Sequence, residues 1–583
     1  MFKKIISSDY IELAIISIFG SLLFFTFKLQ IIEGDKYKNI AEKNIFRIQT
    51  VYPIRGEIYD RKYRPIVLNK ASYNLYIRPG KIKDKEKVIE VICANFEKTK
   101  EEIEKIIYEN RYRSYQDILL IQNVSYEKMV YISEQLNYYP SLLFKAERVR
   151  DYLYPNHFTG HTGRITEEEF KRLNVSGYSP NSFIGKTGLE KYYEQFLRGE
   201  NGQQILQVDA SGHNIEFFKH NLQKTPKNGA NLILTIDNDL QKYVNTIFPK
   251  NKKGAVVVMN IKTGGILAYL SKPDFDPNIF TSSISTNEWN QIISDPDKPL
   301  MDRVIQGTYP PGSVYKPIVA SLGLEEKIID EQTKLTKCEG GMWFGNRYFN
   351  CWWEKGHGKL AIVDALKFSC DVYFYDLSTR FTLEQLNRFT SQNYLSSRTN
   401  IDLPSERKGF FPSRKWYLEN YGKYIDIFGQ KVNLGIGQGE ILVTPLQICA
   451  YYSALGNDGV WKQPHILDKR IEAEHTYENV FEEKHLPISD KTLKMIQTSL
   501  YKIVNESYGT GVAASSSTAR VFGKTGSAEN HMGKETHSWF SGYALADKFA
   551  IGFSVFIENG GHGGSVSAPM TRKIVEYYSR IAE

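Results

Sequence analysis

QGTYPPGSVYKPIVAS, residues 306–321, sets Ser313 and Lys316 three positions apart behind the turn-forming run Pro310-Pro311-Gly312. The spacing predicts a helix that begins here and carries both side chains on one face, because positions i and i+3 are neighbours on a helical surface. An amine held beside a hydroxyl in a desolvated pocket becomes less basic than a free lysine, and it can then take the hydroxyl proton and activate the oxygen as a nucleophile. Alone, Ser-x-x-Lys is common and decides little. Two later stretches give it weight. KFSCDVYFYDL, residues 367–377, offers Ser369 and Asp371 as a second hydroxyl and a polar partner, and RVFGKTGSAEN, residues 520–530, carries Lys524-Thr525-Gly526 on an expected strand.

Lys-Thr-Gly also occurs at Lys186 and Lys262. The Lys262 copy sits between two apolar runs in GAVVVMNIKTGGILAYLS, residues 254–271, where a hairpin turn with its glycine pair at positive φ is expected and the lysine is a solvated side chain. The Lys186 copy precedes Leu189, Tyr192, Tyr193, Phe196 and Leu197, a helical stripe. A phosphate loop is excluded there, because Pro180 stands where the required glycine should be. Only Lys524 follows a Ser-x-x-Lys and a Ser-x-Asp. That order is the signature of serine acyl transfer on penicillin-like substrates.

A chain of 583 residues exceeds what one core usually organises, so at least two folded domains are expected. With 42% apolar and 24% charged residues the composition is globular, and a net charge of +8 without a Lys/Arg run gives no reason to expect nucleic acid. Residues 10–32 are long and apolar enough to span a bilayer, and Lys3 and Lys4 before them place the N-terminus in the cytoplasm and the bulk of the chain outside. The resulting division is a cytoplasmic tail 1–9, a transmembrane helix 10–32, a mixed domain 33–230 and a C-terminal domain 231–583. In the mixed domain, Val88, Ile92, Phe96, Ile103 and Ile107 predict a surface helix with one buried face. In the C-terminal domain, strands are expected at 254–271 and 537–558, with helices around 313–328, 360–380 and 444–456. This pattern predicts an α/β or α+β fold whose sheet is assembled from distant parts of the chain.

Three of the five cysteines and a histidine cluster between or inside the first two motifs: Cys338, Cys351, His357 and Cys370. Three thiols and an imidazole suit tetrahedral zinc, although the spacing is looser than in a zinc finger. A Cys338 to Cys351 disulfide and a buried Cys370 thiol are the alternatives. Cys93 and Cys449 read as packing residues.

On the three motifs, together with PIRGEIYDR (53–61), GKTGLEKYYEQFLRGENG (185–202), LILTIDNDLQ (232–241), GIGQGEILVTPLQ (435–447) and HSWFSGYA (537–544), the chain resembles the class B penicillin-binding proteins of the elongation type over nearly its whole length. Many relatives carry Asn where this chain has Asp371, a departure that favours elongation over septum synthesis. The resemblance implies a penicillin-binding transpeptidase fold, a central antiparallel sheet with helices on both sides, joined to an elongated pedestal or dimerisation-like domain. It implies a D,D-transpeptidase with D,D-carboxypeptidase side activity, acting on the D-Ala-D-Ala end of peptidoglycan stem peptides through a Ser313 acyl-enzyme and acylated by β-lactams. Lys316 is then the base, Ser369 a proton carrier and Asp371 its orienter. Lys524 supplies positive charge, Thr525 bonds the substrate carboxylate, Gly526 leaves the strand edge open, and the N–H groups of Ser313 and Ser527 form an oxyanion hole. No organic cofactor is implied, and one structural zinc at the Cys/His set is. The implied partners are the membrane, a glycan polymerase of the SEDS family and elongation-machinery proteins; the implied location is the bacterial inner membrane. A membrane-anchored serine β-lactamase shares the three motifs, but no local motif for an added deacylating base is present. A penicillin-sensing or scaffold protein is the reading from another class, and no catalytic side chain is missing to favour it.

Overall fold

The apolar runs at 254–259 and 551–557 are too continuous for strands with one wet face, and the computed structural model buries both of their faces. It describes residues 8–37, 46–112, 116–173, 177–178, 182–207, 222–281, 284, 286–423, 426–530 and 535–582. The expected tail at 1–9, including Lys3 and Lys4, falls mostly outside these residues, as does Pro180. By packing the chain forms two units, one of residues 1–54, 74–145 and 199–228, the other of residues 55–73, 146–198 and 229–583.

The second unit is built on a five-stranded antiparallel sheet of β1 (Lys253–Asn260), β2 (Ile266–Lys272), β3 (Arg520–Ala528), β4 (His537–Leu545) and β5 (Ala550–Glu558), in the order β2-β1-β5-β4-β3. The two ends of the domain meet where Val256 of β1 pairs with Val555 of β5. Its helices include α1 (Asn238–Ile247), α2 (Lys316–Glu325), α3 (Ile362–Lys367), α4 (Asp371–Thr379), α5 (Pro445–Gly456), α6 (Asp490–Asn505) and α7 (Ser567–Ile581). Alternate residues of β1 enter two cores. Val256 and Val258 join Leu240 and Val244 of α1, whereas Val257 joins Leu446 and Cys449 of α5. Period-two side chains therefore carry α5 on one face, with α1 and α7 on the other, where Tyr243 stacks on Tyr577 at 3.8 Å. β3 lies at the sheet edge, so one row of its backbone groups has no strand partner.

The hairpin between β1 and β2 forms as expected, with Asn260 Oδ1 accepting from the Lys262 amide and Lys262 exposed. Of its two glycines only Gly264 takes a positive φ, +88°; Gly265 instead packs close to Thr235. The Lys186 copy enters a short helix, Gly188–Tyr192, whose Leu189 is buried together with Tyr193 and Leu197. The helix expected around 360–380 is broken into α3 and α4 by Ser369, which holds φ at +52°.

A buried ionic knot explains two of the quoted segments. Glu190 accepts from Arg55 Nε at 2.8 Å and from Arg150 Nε at 2.8 Å, and Arg55 also reaches Glu194 at 2.6 Å. Burial alone would push the Glu190 carboxyl up, but the two guanidiniums hold it below its usual range.

In the first unit, Phe46–Val51 pairs antiparallel with Gly202–Gln207, which pairs with Leu222–Lys224. The single helix expected at 83–110 is two, Lys85–Asn95 and Lys100–Glu109. Thr99 and Glu102 form a capping box that restarts the helix, while Val88, Ile92, Phe96 and Ile103 remain buried. Tyr10–Ile32, 23 residues with mean hydropathy 1.9 and no buried share, is the one described helix long and apolar enough to cross a membrane.

Candidate active site

Gly312 turns the chain at φ +55° into a tight helical turn, Gly312–Tyr315, and α2 follows from Lys316. The turn is held from outside: Gly312 N–H donates to Gly437 O at 2.9 Å, and a Cβ on Gly437 would lie 2.2 Å from Gly312 O. The GIGQGE segment is thus a cradle that only glycine permits. Ser313 lies half-buried within this turn, while Lys316 behind it is 0% exposed.

Three motifs converge on Ser369. Lys316 Nζ donates to Ser369 O at 2.8 Å and Oγ at 3.2 Å, and pairs with Asp371 Oδ1 at 2.7 Å. From β3, Lys524 Nζ donates to Ser369 Oγ at 2.8 Å and to Thr525 O at 3.1 Å. The hydroxyl of Ser369 therefore bridges two buried amines. The positive φ of Ser369 is what turns both its carbonyl and its side chain towards Lys316, a local strain kept in place by these bonds. The other oxygen of Asp371 accepts from the Trp352 amide at 2.9 Å.

The charges do not balance, since two lysines face one carboxylate. Burial disfavours the Lys524 ammonium first, the charge on Lys316 adds to the effect, and Asp371 opposes it; Lys524 lies well below the usual lysine range. The surroundings of Lys524 therefore favour its neutral form.

Around β3, Thr525 Oγ1 bonds Thr510 Oγ1 at 2.9 Å, and Gln438 Nε2 donates to Ser527 O at 3.4 Å. A Cβ on Gly526 would come within 3.1 Å of Pro311 O, of the Trp539 Cβ and of the Val314 side chain. The missing side chain thus admits the Ser313 turn against the strand.

The sulfur cluster adjoins this site in sequence and space. One ligand atom from each of Cys338, Cys351, His357 and Cys370 lies within 4.8 Å of all the others. Cys338 Sγ and Cys351 Sγ stand 3.7 and 3.5 Å from His357 Nδ1. A tetrahedron with about 2.3 Å to sulfur and about 2.0 Å to nitrogen has sulfur-to-nitrogen edges of about 3.5 Å, so the donor set fits zinc. All five cysteines are free thiols, so Cys338 and Cys351 do not take the disulfide alternative. Cys351 precedes Trp352 and Cys370 precedes Asp371, so the cluster frames the Trp352 to Asp371 bond.

Every residue of the expected catalytic set except Ser313 is tied into one hydrogen-bonded group, with Ser313 on the turn that leads into Lys316. Motif reading passes over Trp352, Thr510 and Gln438. Trp352 acts through its backbone, which leaves no residue signature; Thr510 stands in a Gly-Thr-Gly run before β3, a signal that points to a close backbone approach. A cavity of about 630 Å³ lies elsewhere in this unit, among His157, Phe183, Phe280, Trp289 and Leu403, and none of the three motifs lines it.

Comparison with known proteins agrees with this geometry. Residues 254–576 match the model described as "Penicillin binding protein transpeptidase domain", and residues 50–234 match "Penicillin-binding Protein dimerisation domain". The chain is similar to the peptidoglycan D,D-transpeptidase MrdA of Haemophilus influenzae, 30% identical over 97% of this chain and 90% of the relative. It is similar also to MrdA of Escherichia coli K12, at 29% over 97% and 92%. Among solved structures, the complex between penicillin-binding protein PBP2 and MreC from Helicobacter pylori contains a chain that matches with a TM-score of 0.79 and 26% identity, covering 91% of this chain and 99% of that one.

Proposed function

The chain belongs to the penicillin-binding protein transpeptidase family, and from that premise we propose that it cross-links peptidoglycan during elongation as a serine D,D-transpeptidase, with Ser313 as nucleophile. The observation that carries the residue roles is the convergence of Lys316, Asp371 and Lys524 on Ser369, directly behind the Ser313 turn.

In the free site Lys316 is paired with Asp371 and the neutral form of Lys524 is favoured. Arrival of the substrate's terminal carboxylate reverses the preference, because a nearby anion stabilises the Lys524 ammonium. Ser369 Oγ then gives its proton to Lys524 and receives one from Lys316. The Lys316 amine so produced takes the Ser313 hydroxyl proton as Oγ attacks the carbonyl of the penultimate D-Ala. The C–N bond breaks, the departing D-Ala amine takes up a proton through the same relay, and an acyl-enzyme ester remains. An amine of a second stem peptide attacks that ester, releases Ser313 and forms the cross-link. Donors aimed at the tetrahedral oxyanion from the backbone of Ser313 and Ser527 lower the barrier by about 3 kcal/mol each. Thr525 bonds the carboxylate, and Gly526 lets the reacting turn lie against the edge strand.

The Cys338, Cys351, His357 and Cys370 set would hold one zinc, whose contribution is to brace the segments that carry Trp352 and Asp371. Residues 1–9 form a cytoplasmic tail and 10–32 the inner-membrane anchor, 33–230 a pedestal and 231–583 the transpeptidase domain, outside the cytoplasm. The H. pylori complex with MreC supports an elongation-machinery partner of that kind, and a membrane glycan polymerase of the SEDS family completes the expected assembly.

Intact-mass analysis after incubation with benzylpenicillin tests the reading. A stable adduct that maps to Ser313 and is absent from Ser313→Ala is expected. Rapid turnover without a lasting adduct would make the chain a β-lactamase, and labelling of Ser313→Ala would displace the nucleophile.

A further inference from the structure

The loop between β5 and α7, Glu558-Asn559-Gly560-Gly561-His562-Gly563-Gly564, flanks one histidine with glycines on both sides. It is pinned at both ends of that histidine. Gly561 N–H donates to Thr536 O at 2.9 Å, and Thr536 Oγ1 donates to Gly561 O at 3.0 Å. A Cβ on Gly563 would lie 2.2 Å from Trp539 O and 2.5 Å from Gly526 O, so the loop rests directly on the Lys-Thr-Gly strand. His562 O then accepts from the amides of Ser565 and Val566 at 3.1 and 3.3 Å, which fixes the histidine backbone at the entry to α7.

This placement sets the imidazole on the site. Ser527 Oγ lies 3.4 Å from His562 Nδ1 and also accepts from Gly563 N–H at 3.4 Å, while the rest of the ring is exposed. Thr525 and Ser527 are two apart on β3 and therefore project to the same face. Two hydroxyls and one imidazole meet there, a donor set suited to an anion.

We propose that His562 is a substrate-binding residue that, with Thr525 and Ser527, forms the subsite for the terminal carboxylate of the stem peptide and of β-lactams. The assignment rests on the transpeptidase reading above. In the empty site the Ser527 hydroxyl and Nδ1 share one hydrogen bond. When an anion enters, Nδ1–H donates to Ser527 Oγ, which still accepts from Gly563, and the Ser527 proton is free to point at the carboxylate. Thr510 completes the pattern: Thr525 Oγ1 donates to Thr510 Oγ1 at 2.9 Å in the empty site, and when the Thr525 proton turns to the anion the Thr510 hydroxyl donates in its place. A charge-assisted bond of this kind is stronger than a neutral one and acts only on ligands that carry the charge.

The test compares acylation of the full-length protein in detergent by benzylpenicillin and by its methyl ester, followed by intact mass, in wild type, His562→Ala and His562→Gln. His562→Ala is expected to slow acylation by the free acid about tenfold and to leave the ester within about twofold, with His562→Gln in between. Equal losses with acid and ester would make the histidine a structural part of the loop and overturn the proposal, as would no change with either. Failure of the wild type to acylate with either compound would instead overturn the transpeptidase reading, and the carboxylate subsite with it.

Discussion

Two buried clusters in the same unit hold charges of both signs, and they are built to opposite ends. Around Glu190, two guanidiniums, Arg55 and Arg150, meet two carboxylates, Glu190 and Glu194. Around Ser369, two amines meet the single carboxylate of Asp371. The first cluster is neutral, and its multiple bonds hold each charge in one geometry, so it ties the 53–61 segment to the 185–202 segment. The second has one cation more than it can pair, and burial first, with the Lys316 charge adding to it, disfavours the Lys524 ammonium until an anion arrives. Balanced buried charge fixes structure, while unbalanced buried charge stores a proton that can be moved.

The sharpest break in that contrast is on the reactive side. Lys316→Ala removes the amine proposed to take the Ser313 proton, and acylation by benzylpenicillin should fall by about 10³-fold at 20 °C in the fraction that calorimetry shows to be folded, read by stopped-flow labelling. Glu190→Gln should do the reverse. It leaves Arg55 and Arg150 buried without their shared partner, and a loss of about 3 to 5 kcal/mol in stability is expected, with acylation at 20 °C unaltered. Because the Glu190 carboxyl is held below its usual value, the stability that it contributes is present above the unfolded value near 4.5 and disappears as pH falls through the folded one. Denaturant titrations of wild type and variant should therefore converge as pH falls from 4.5 through the lower, folded value.

Much of the reactive cluster is legible in the sequence. The order of Ser313, Lys316, Ser369, Asp371 and Lys524 singles out one Lys-Thr-Gly copy from three, and the apolar runs at 254–271 and 537–558 do pair into one sheet. The break at Ser369 is not legible. Its positive φ is imposed by bonds from Lys316, 53 positions away, and no glycine or asparagine marks it. The capping box at Thr99 stands in the sequence but is hidden by an apolar period that continues across it. The charge imbalance is a tertiary property, because motif spacing says nothing of which amine Asp371 reaches.

Smaller effects probe the partners of Asp371. Asp371 favours the protonated form of Lys524, so Asp371→Asn should move the acid limb of the acylation profile to lower pH, besides lowering its height. Stripping metal with a chelator, or Cys351→Ser, should abolish zinc in elemental analysis and reduce acylation several-fold, by loosening the Trp352 to Asp371 bond without removing any reacting group.

The most direct test of the central claim is the titration of Lys524 itself, followed through ¹³C-labelled lysine ε-carbons in the full-length protein, with Lys524→Arg to assign the signal. The unbalanced cluster predicts a Lys524 signal titrating well below ordinary lysines in the free enzyme and moving upward once a penicilloyl group, with its carboxylate, occupies the site. Titration with the ordinary lysines in both states would contradict it.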